Sequence, residues 1–234
     1  MTDTNLDSPG PVRLSVPVEF RRGVLKGDER ASVRSASIIL DYILECTGLE
    51  SYEGISILDF GCGVKFTQAL LQDGRRFRRY FGVDVFGPMI QFLRDNVTDP
   101  RFTFEIVPFQ NDMYNKNGTP MTALSTLPCG NEQFDLITLQ SVFTHLCPDD
   151  FQNLLFILRR YVTAAGRMFF TCFVDNEMRE AFRDADPDKP LLYATYREDA
   201  IREMIQRAGW KVTFYSKPRW EDKHVVDHFV CIPA

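Results

Sequence analysis

The chain has 234 residues, 44% hydrophobic and 25% charged, enough apolar material for one large α/β domain. A net charge of −5 gives no electrostatic basis for nucleic acid as a routine partner. Six cysteines (Cys46, Cys62, Cys129, Cys147, Cys172 and Cys231) stand singly, with no C-x-x-C pair, which argues against a zinc site or a disulfide framework and for reduced thiols in a cytoplasmic protein.

Residues 1–12 are polar and rich in proline and glycine, and are expected to be disordered; residues 13–234 are expected to form a single domain. The opening "MTDTNLDSPGPVRLSVPVEF" lacks the charged-then-apolar order of a signal peptide, and no apolar run reaches the length of a membrane span. A helix is predicted over Asp28–Thr47, ending at Gly48, as an N-terminal helical cap. Short apolar runs then predict strands at Ser56–Phe60, Tyr80–Val85, Phe102–Val107, Phe134–Leu139 and Arg167–Val174. Between them, Thr67–Gln72, Pro88–Asn96 and Pro148–Val162 carry helical patterns. This alternation means a doubly wound, mostly parallel sheet with helices on both faces.

The stretch "TYREDAIREMIQRAGW" predicts a helix with a capping box formed by Thr195 and Glu198 and a stop at Gly209. Two strands follow, "KVTFYSKP" and "VVDHFVCIPA", with no helix between them, so they are expected to pair antiparallel. That makes seven strands closed by a C-terminal hairpin. The segments about 113–132 and 175–195 are long, irregular insertions, and loops of that size are usually functional or disordered.

In such a sheet, ligands sit beyond the carboxyl ends of the strands where strand order reverses. The first strand runs into a glycine turn, "ILDFGCGVKF". A dinucleotide site wants a small residue where Phe66 stands, and Asp59 would repel a pyrophosphate, whereas a carboxylate suits a ligand carrying cationic groups. Asp84, 21 residues beyond Gly63, ends the second strand where a carboxylate can accept hydrogen bonds from ribose hydroxyls. His145 lies just past the fourth strand; it is a candidate general base or, alternatively, a structural hydrogen-bonder. The basic run "RRFRRY" is expected to be a solvated, acid-paired surface, and Cys147 a buried thiol.

Taken together, "LDFGCG", "GVDV" and "FDLITLQSVFTHL" resemble the class I S-adenosylmethionine-dependent methyltransferases, over roughly residues 55–232. The segments "NDMYNKNG", "GRMFFTCFV" and "VDHFV" resemble a bacterial small-molecule subgroup often associated with glycan assembly. One departure is Lys65, which stands where the family usually has another glycine. The resemblance implies S-adenosyl-L-methionine as cofactor, held by Asp59, Gly61, Gly63, Asp84, Asp112, Met113 and Gln140. Asp112 is matched to the adenine amino group, with a turn-capping carboxylate as the other reading. Tyr114, Tyr196, Trp220 and His228 are candidates for binding the acceptor, with packing as the alternative for each. The expected reaction is O-methylation of a hydroxyl on a sugar or other small polar acceptor, an amine acceptor or a non-catalytic binding module being the rivals. Mg²⁺ has no specific motif, and a homo-oligomer is left open.

Overall fold

The computed structural model describes residues 11–23, 25–111, 114–184, 186, 188–189, 191, 193–217 and 226–234. The chain enters through a short 3-10 turn, Val18–Phe20, and then the helix α1, Glu29–Thr47. Asp28 caps α1 by accepting from the Ala31 amide, and Gly48 closes it in a left-handed conformation. Five parallel strands follow: β1 (Ser56–Phe60), β2 (Arg79–Asp84), β3 (Phe102–Ile106), β4 (Phe134–Leu139) and β5 (Val162–Val174). Helices α2 (Lys65–Gln72), α3 (Gly87–Asn96) and α4 (Pro148–Arg159) connect them. Val162, expected to end the last of these helices, instead begins β5 and pairs with Phe134.

Seven strands were expected, and nine occur among the described residues. The additional pair, β6 (Phe182–Asp184) and β7 (Ala194–Tyr196), is an antiparallel ribbon within the 175–195 insertion. It docks on the end of β5 at Phe173 and Val174. Helix α5, Glu198–Arg207, leads to the hairpin of β8 (Trp210–Ser216) and β9 (Asp227–Pro233), and β9 lies antiparallel against β5. Thr195 falls within β7, so the expected capping box does not form. Instead Asn176 Oδ1 accepts from the Glu198 amide at 3.0 Å, and a residue distant in sequence supplies the cap.

The strand order is β3-β2-β1-β4-β5, so the order in which the chain lays down its parallel strands reverses between β1 and β4. The crevice above those two strands is where this kind of sheet binds ligands. Both faces of the sheet are covered. One apolar layer joins β1, β4 and β5 to α4 and α5 through Leu58, Ile137, Leu154 and Ile201. The other joins them to α1, α2 and α3 through Ile57, Ile43, Phe66 and Ile90. Burying both faces explains why β1 is buried throughout and reads as a continuous apolar run rather than an alternating one.

The segment before α1 is stitched to the same layer. Leu14 and Val16 are buried, the Val16 amide donates to Glu29 at 2.9 Å, and Gln68 donates to the Leu14 carbonyl at 3.0 Å. The Val16 amide, foremost, holds the Glu29 carboxyl below its usual range. Of the segment expected to be loose, residues 1–10 lie outside the described residues, whereas the Val12 amide is tied to Leu71 O at 2.9 Å.

Candidate active site

Asp59 lies near the carboxyl end of β1 and is 1% exposed. Its register partners are Gly82 on β2 and Thr138 on β4. Gly82 leaves a gap that the Tyr80 ring crosses; a β-carbon there would lie 3.0 Å from Tyr80 Cε1. Tyr80 thereby donates its hydroxyl to Asp59 Oδ2 at 2.5 Å, and Thr138 donates to Oδ1 at 2.7 Å. Burial pushes the Asp59 carboxyl up to about 7, against the pull of these two hydrogen bonds, and the charge of Asp84 adds to the rise.

The turn after β1 is drawn toward β2. The Gly61 and Cys62 amides both donate to Val83 O, at 2.8 and 3.0 Å, and the Gly63 amide donates to Asp84 Oδ2 at 3.1 Å. These three amides therefore fasten the loop to β2. Gly61 has φ +70°, and a β-carbon on it would stand 2.6 Å from Val142 Cγ2. Only glycine lets the loops after β1 and β4 close on each other here. Gly63 has φ +50°, and its missing side chain would point into open space.

Asp84 is half-buried, and burial raises its carboxyl above the ordinary value. The amides of Phe86 and Gly63 each donate to one of its oxygens, and a carboxylate with its several acceptor sites can still accept from a hydroxyl. Around it the N-terminal segment closes down. Phe20 packs edge-on against Phe86 at 6.0 Å between ring centroids. The Arg22 guanidinium lies over both Phe86 and Tyr114 and bonds the Tyr114 hydroxyl at 3.2 Å. Tyr114 thus packs beside Phe86, two residues beyond Asp84, at 5.6 Å between ring centroids.

On the other wall, the chain leaving β4 passes Gln140, then Ser141 in a left-handed conformation (φ 59°), then Val142 against Gly61. Gln140 Oε1 is buried and accepts no hydrogen bond from the described residues. A 3-10 turn over Phe143–His145 follows, and His145 Nδ1 lies 3.2 Å from Leu191 O of the β6–β7 insertion. A carbonyl only accepts, so Nδ1 carries the hydrogen there and the neutral ring keeps its lone pair on Nε2.

Two expected acceptor residues lie in the core. Tyr196 is 1% exposed, donates its hydroxyl to Leu146 O and packs against Phe151. His228 is 4% exposed between Tyr42 and Phe169, and burial lowers its pKa to about 4. Strand pairing turned both side chains inward, which corrects their assignment to a binding surface. Asp112, Met113, Trp220 and His224 lie outside the described residues. The insertion after Tyr114 does not all face the crevice: Met121 O and Leu127 N are bound by Asn153 and Tyr161, from α4 and just beyond it.

Each arginine of "RRFRRY" finds an acid: Arg75 with Asp41 and Asp73, Arg76 with Glu53, Arg78 with Asp135 and Arg79 with Glu132. Cys147 is half-buried and points its thiol at Asp150 at 3.5 Å. No group of three or more His, Cys, Asp or Glu side chains able to hold a metal occurs among the described residues. Tyr80, Thr138, Phe86 and Arg22 were missed by sequence reasoning. The aromatic two residues after Asp84 was the one signal that spacing offered.

The crevice fits a cationic adenosyl amino acid. Asp84 suits the ribose, Phe86 offers an aromatic face beside it, Gln140 Oε1 lacks a donor among the described residues, and Gly63 leaves room. Residues 58–170 match the family model described as a methyltransferase domain. The chain is similar in structure to a Leishmania major S-adenosylmethionine-dependent methyltransferase (TM-score 0.64, 16% identity, 92% of this chain and 80% of that one). It is also similar to the 1,6-didemethyltoxoflavin-N1-methyltransferase of Burkholderia thailandensis, solved with its substrate and S-adenosylhomocysteine (TM-score 0.57, 20% identity, 90% and 81%). A third is the magnesium protoporphyrin IX methyltransferase of Synechocystis PCC 6803 with bound S-adenosylmethionine (TM-score 0.57, 11% identity, 92% and 86%).

Proposed function

We propose that this chain, an S-adenosylmethionine-dependent methyltransferase of class I fold, methylates a hydroxyl of a small polar acceptor, a sugar being the leading class. When bound, the cofactor supplies a methyl group on a sulfonium, which is already an activated leaving group. Asp84 would hold the ribose hydroxyls, with Phe86 and Tyr114 beside the nucleoside. Gln140 Oε1 would accept from the amino group of the methionine half, and Asp59 would balance its positive charge from beneath the turn. Asp112 and Met113 keep their proposed place at the adenine.

The observation that carries the hydroxyl reading is the orientation of His145. The Leu191 carbonyl fixes its hydrogen on Nδ1, so Nε2 is the atom able to take a proton from an attacking oxygen. A positioned base contributes about 10²–10⁴-fold, and alignment of the two reactants supplies about 7–11 kcal/mol in favourable cases. The 175–195 insertion supplies the tether to His145 and forms one wall of the acceptor side. The sugar class rests on the resemblance of "NDMYNKNG" and "SVFTHL" to glycan-associated enzymes. Free thiols at all six cysteines suit a reducing compartment such as the cytoplasm.

A second reading, an amine acceptor, is favoured by likeness to the toxoflavin enzyme, an N1-methyltransferase. The test is transfer of labelled methyl from the cofactor to parallel panels of hydroxyl compounds, sugars among them, and of amines. Label appearing in ethers supports the proposal. Label confined to amines replaces it with the second reading.

A further inference from the structure

Lys65, the first residue of α2, stands in the turn that carries Gly61 and Gly63. Its side chain runs back beneath the N-terminal segment, where a methyl group built on Gly23 would be 3.7 Å from Nζ. The residue is half-buried, yet its ammonium has no hydrogen bond or ion pair with any described residue. The other half-buried charges nearby are satisfied. Glu29 accepts from Val16 and Gln68, and Asp84 accepts from two amides. Burial lowers the Lys65 pKa, and no carboxylate among the described residues opposes it.

The position makes this costlier. Val64, the residue before α2, provides no side-chain cap, and no acid occupies the first helical turn. The positive end of the helix therefore faces a cation, an unfavourable pairing. Fold stability alone does not account for a lysine here, and an anion from outside the chain would relieve it. The donor read for this crevice has one anionic group, the α-carboxylate of its methionine half. Its other charges, the ammonium and the sulfonium, are positive and would be repelled by Lys65 unless the carboxylate lay between.

We infer that Lys65 is the specificity-determining residue for the amino-acid end of the donor, pairing its ammonium with the donor carboxylate. This rests on the donor site proposed above. No bond is made or broken: Lys65 positions the donor and selects against adenosyl compounds that lack the carboxylate.

Isothermal titration of the full chain with S-adenosylmethionine and with its decarboxylated analogue tests the inference. The wild-type chain favours the carboxylated compound by about 10–100-fold, the range of a charge-assisted hydrogen bond partly exposed to water. Lys65→Met keeps the apolar stem, loses that preference, and binds both compounds as weakly as the wild type binds the decarboxylated one. Lys65→Arg retains it. Because Lys65 has no partner among the described residues, Lys65→Met melts at the wild-type temperature or above, which separates a binding role from a structural one. Equal affinity of the wild-type chain for both compounds, or unchanged binding by Lys65→Met, overturns the inference alone. Failure of the wild-type chain to bind either compound overturns the donor site and the inference together.

Discussion

Gly61 is where the loops after β1 and β4 meet, and replacing it with alanine gives a stability change that can be worked from the structure. Alanine at φ +70° costs about 1–2 kcal/mol for the left-handed backbone. Its β-carbon would also sit 2.6 Å from Val142 Cγ2, and Val142 is β-branched and stiff, so overpacking adds about 1–3 kcal/mol. A total of about 3 kcal/mol lowers the melting temperature of a chain this size by roughly 6–12 °C. The two contributions separate in a double-mutant cycle. In Gly61→Ala/Val142→Ala the colliding methyl is gone, so about 1–3 kcal/mol of coupling is recovered while the backbone term remains. Thermal melts followed by circular dichroism read all four proteins. Gly61→Ala melting within 2 °C of wild type, or a cycle with no coupling, would refute the account of how the two loops are joined.

Two further predictions concern charge and proton transfer. The Asp59 carboxyl is raised to about 7 in the folded chain by burial, from an unfolded value near 3.9. Its stabilising contribution is therefore full below about pH 4 and is lost as pH rises through 7. Relative to Asp59→Asn, the wild-type melting temperature should fall between pH 4 and pH 7, and parallel curves would contradict the shift. His145→Ala should lower turnover by about 10²–10⁴-fold while donor affinity stays within threefold. Undiminished turnover would remove His145 as the base.

Strands β1, β2 and β4 were legible because burial on both faces makes each a nearly continuous apolar run, β3 and β8 because apolar residues alternate along them, and the helices because α4 repeats Phe151, Leu154, Leu155 and Leu158 on one side. The β6–β7 ribbon was not legible: strands of three residues are too short to carry a pattern, and β6 is half-exposed throughout. Asp59 stood out in the sequence as an acid at the end of an apolar run, but the partners that hold it were hidden. Tyr80 reaches it only because Gly82 is its register partner, and register between parallel strands is a tertiary property. His228 and Tyr196 failed as surface candidates for the same reason, since strand pairing decided which way they point. Phe20 and Arg22 sit in a segment without periodicity, so their closure over Phe86 had no sequence signal.

The central claim is that the open space at Gly63, between Asp84 and Gln140, receives the adenosyl donor. Titration of S-adenosylhomocysteine into the wild-type chain and into Gly63→Val tests it most directly. The account predicts saturable, one-to-one binding to the wild-type chain, and loss of at least tenfold in affinity when the valine fills that space. Binding that is unchanged in a folded Gly63→Val protein, or absent from the wild-type chain, would contradict it.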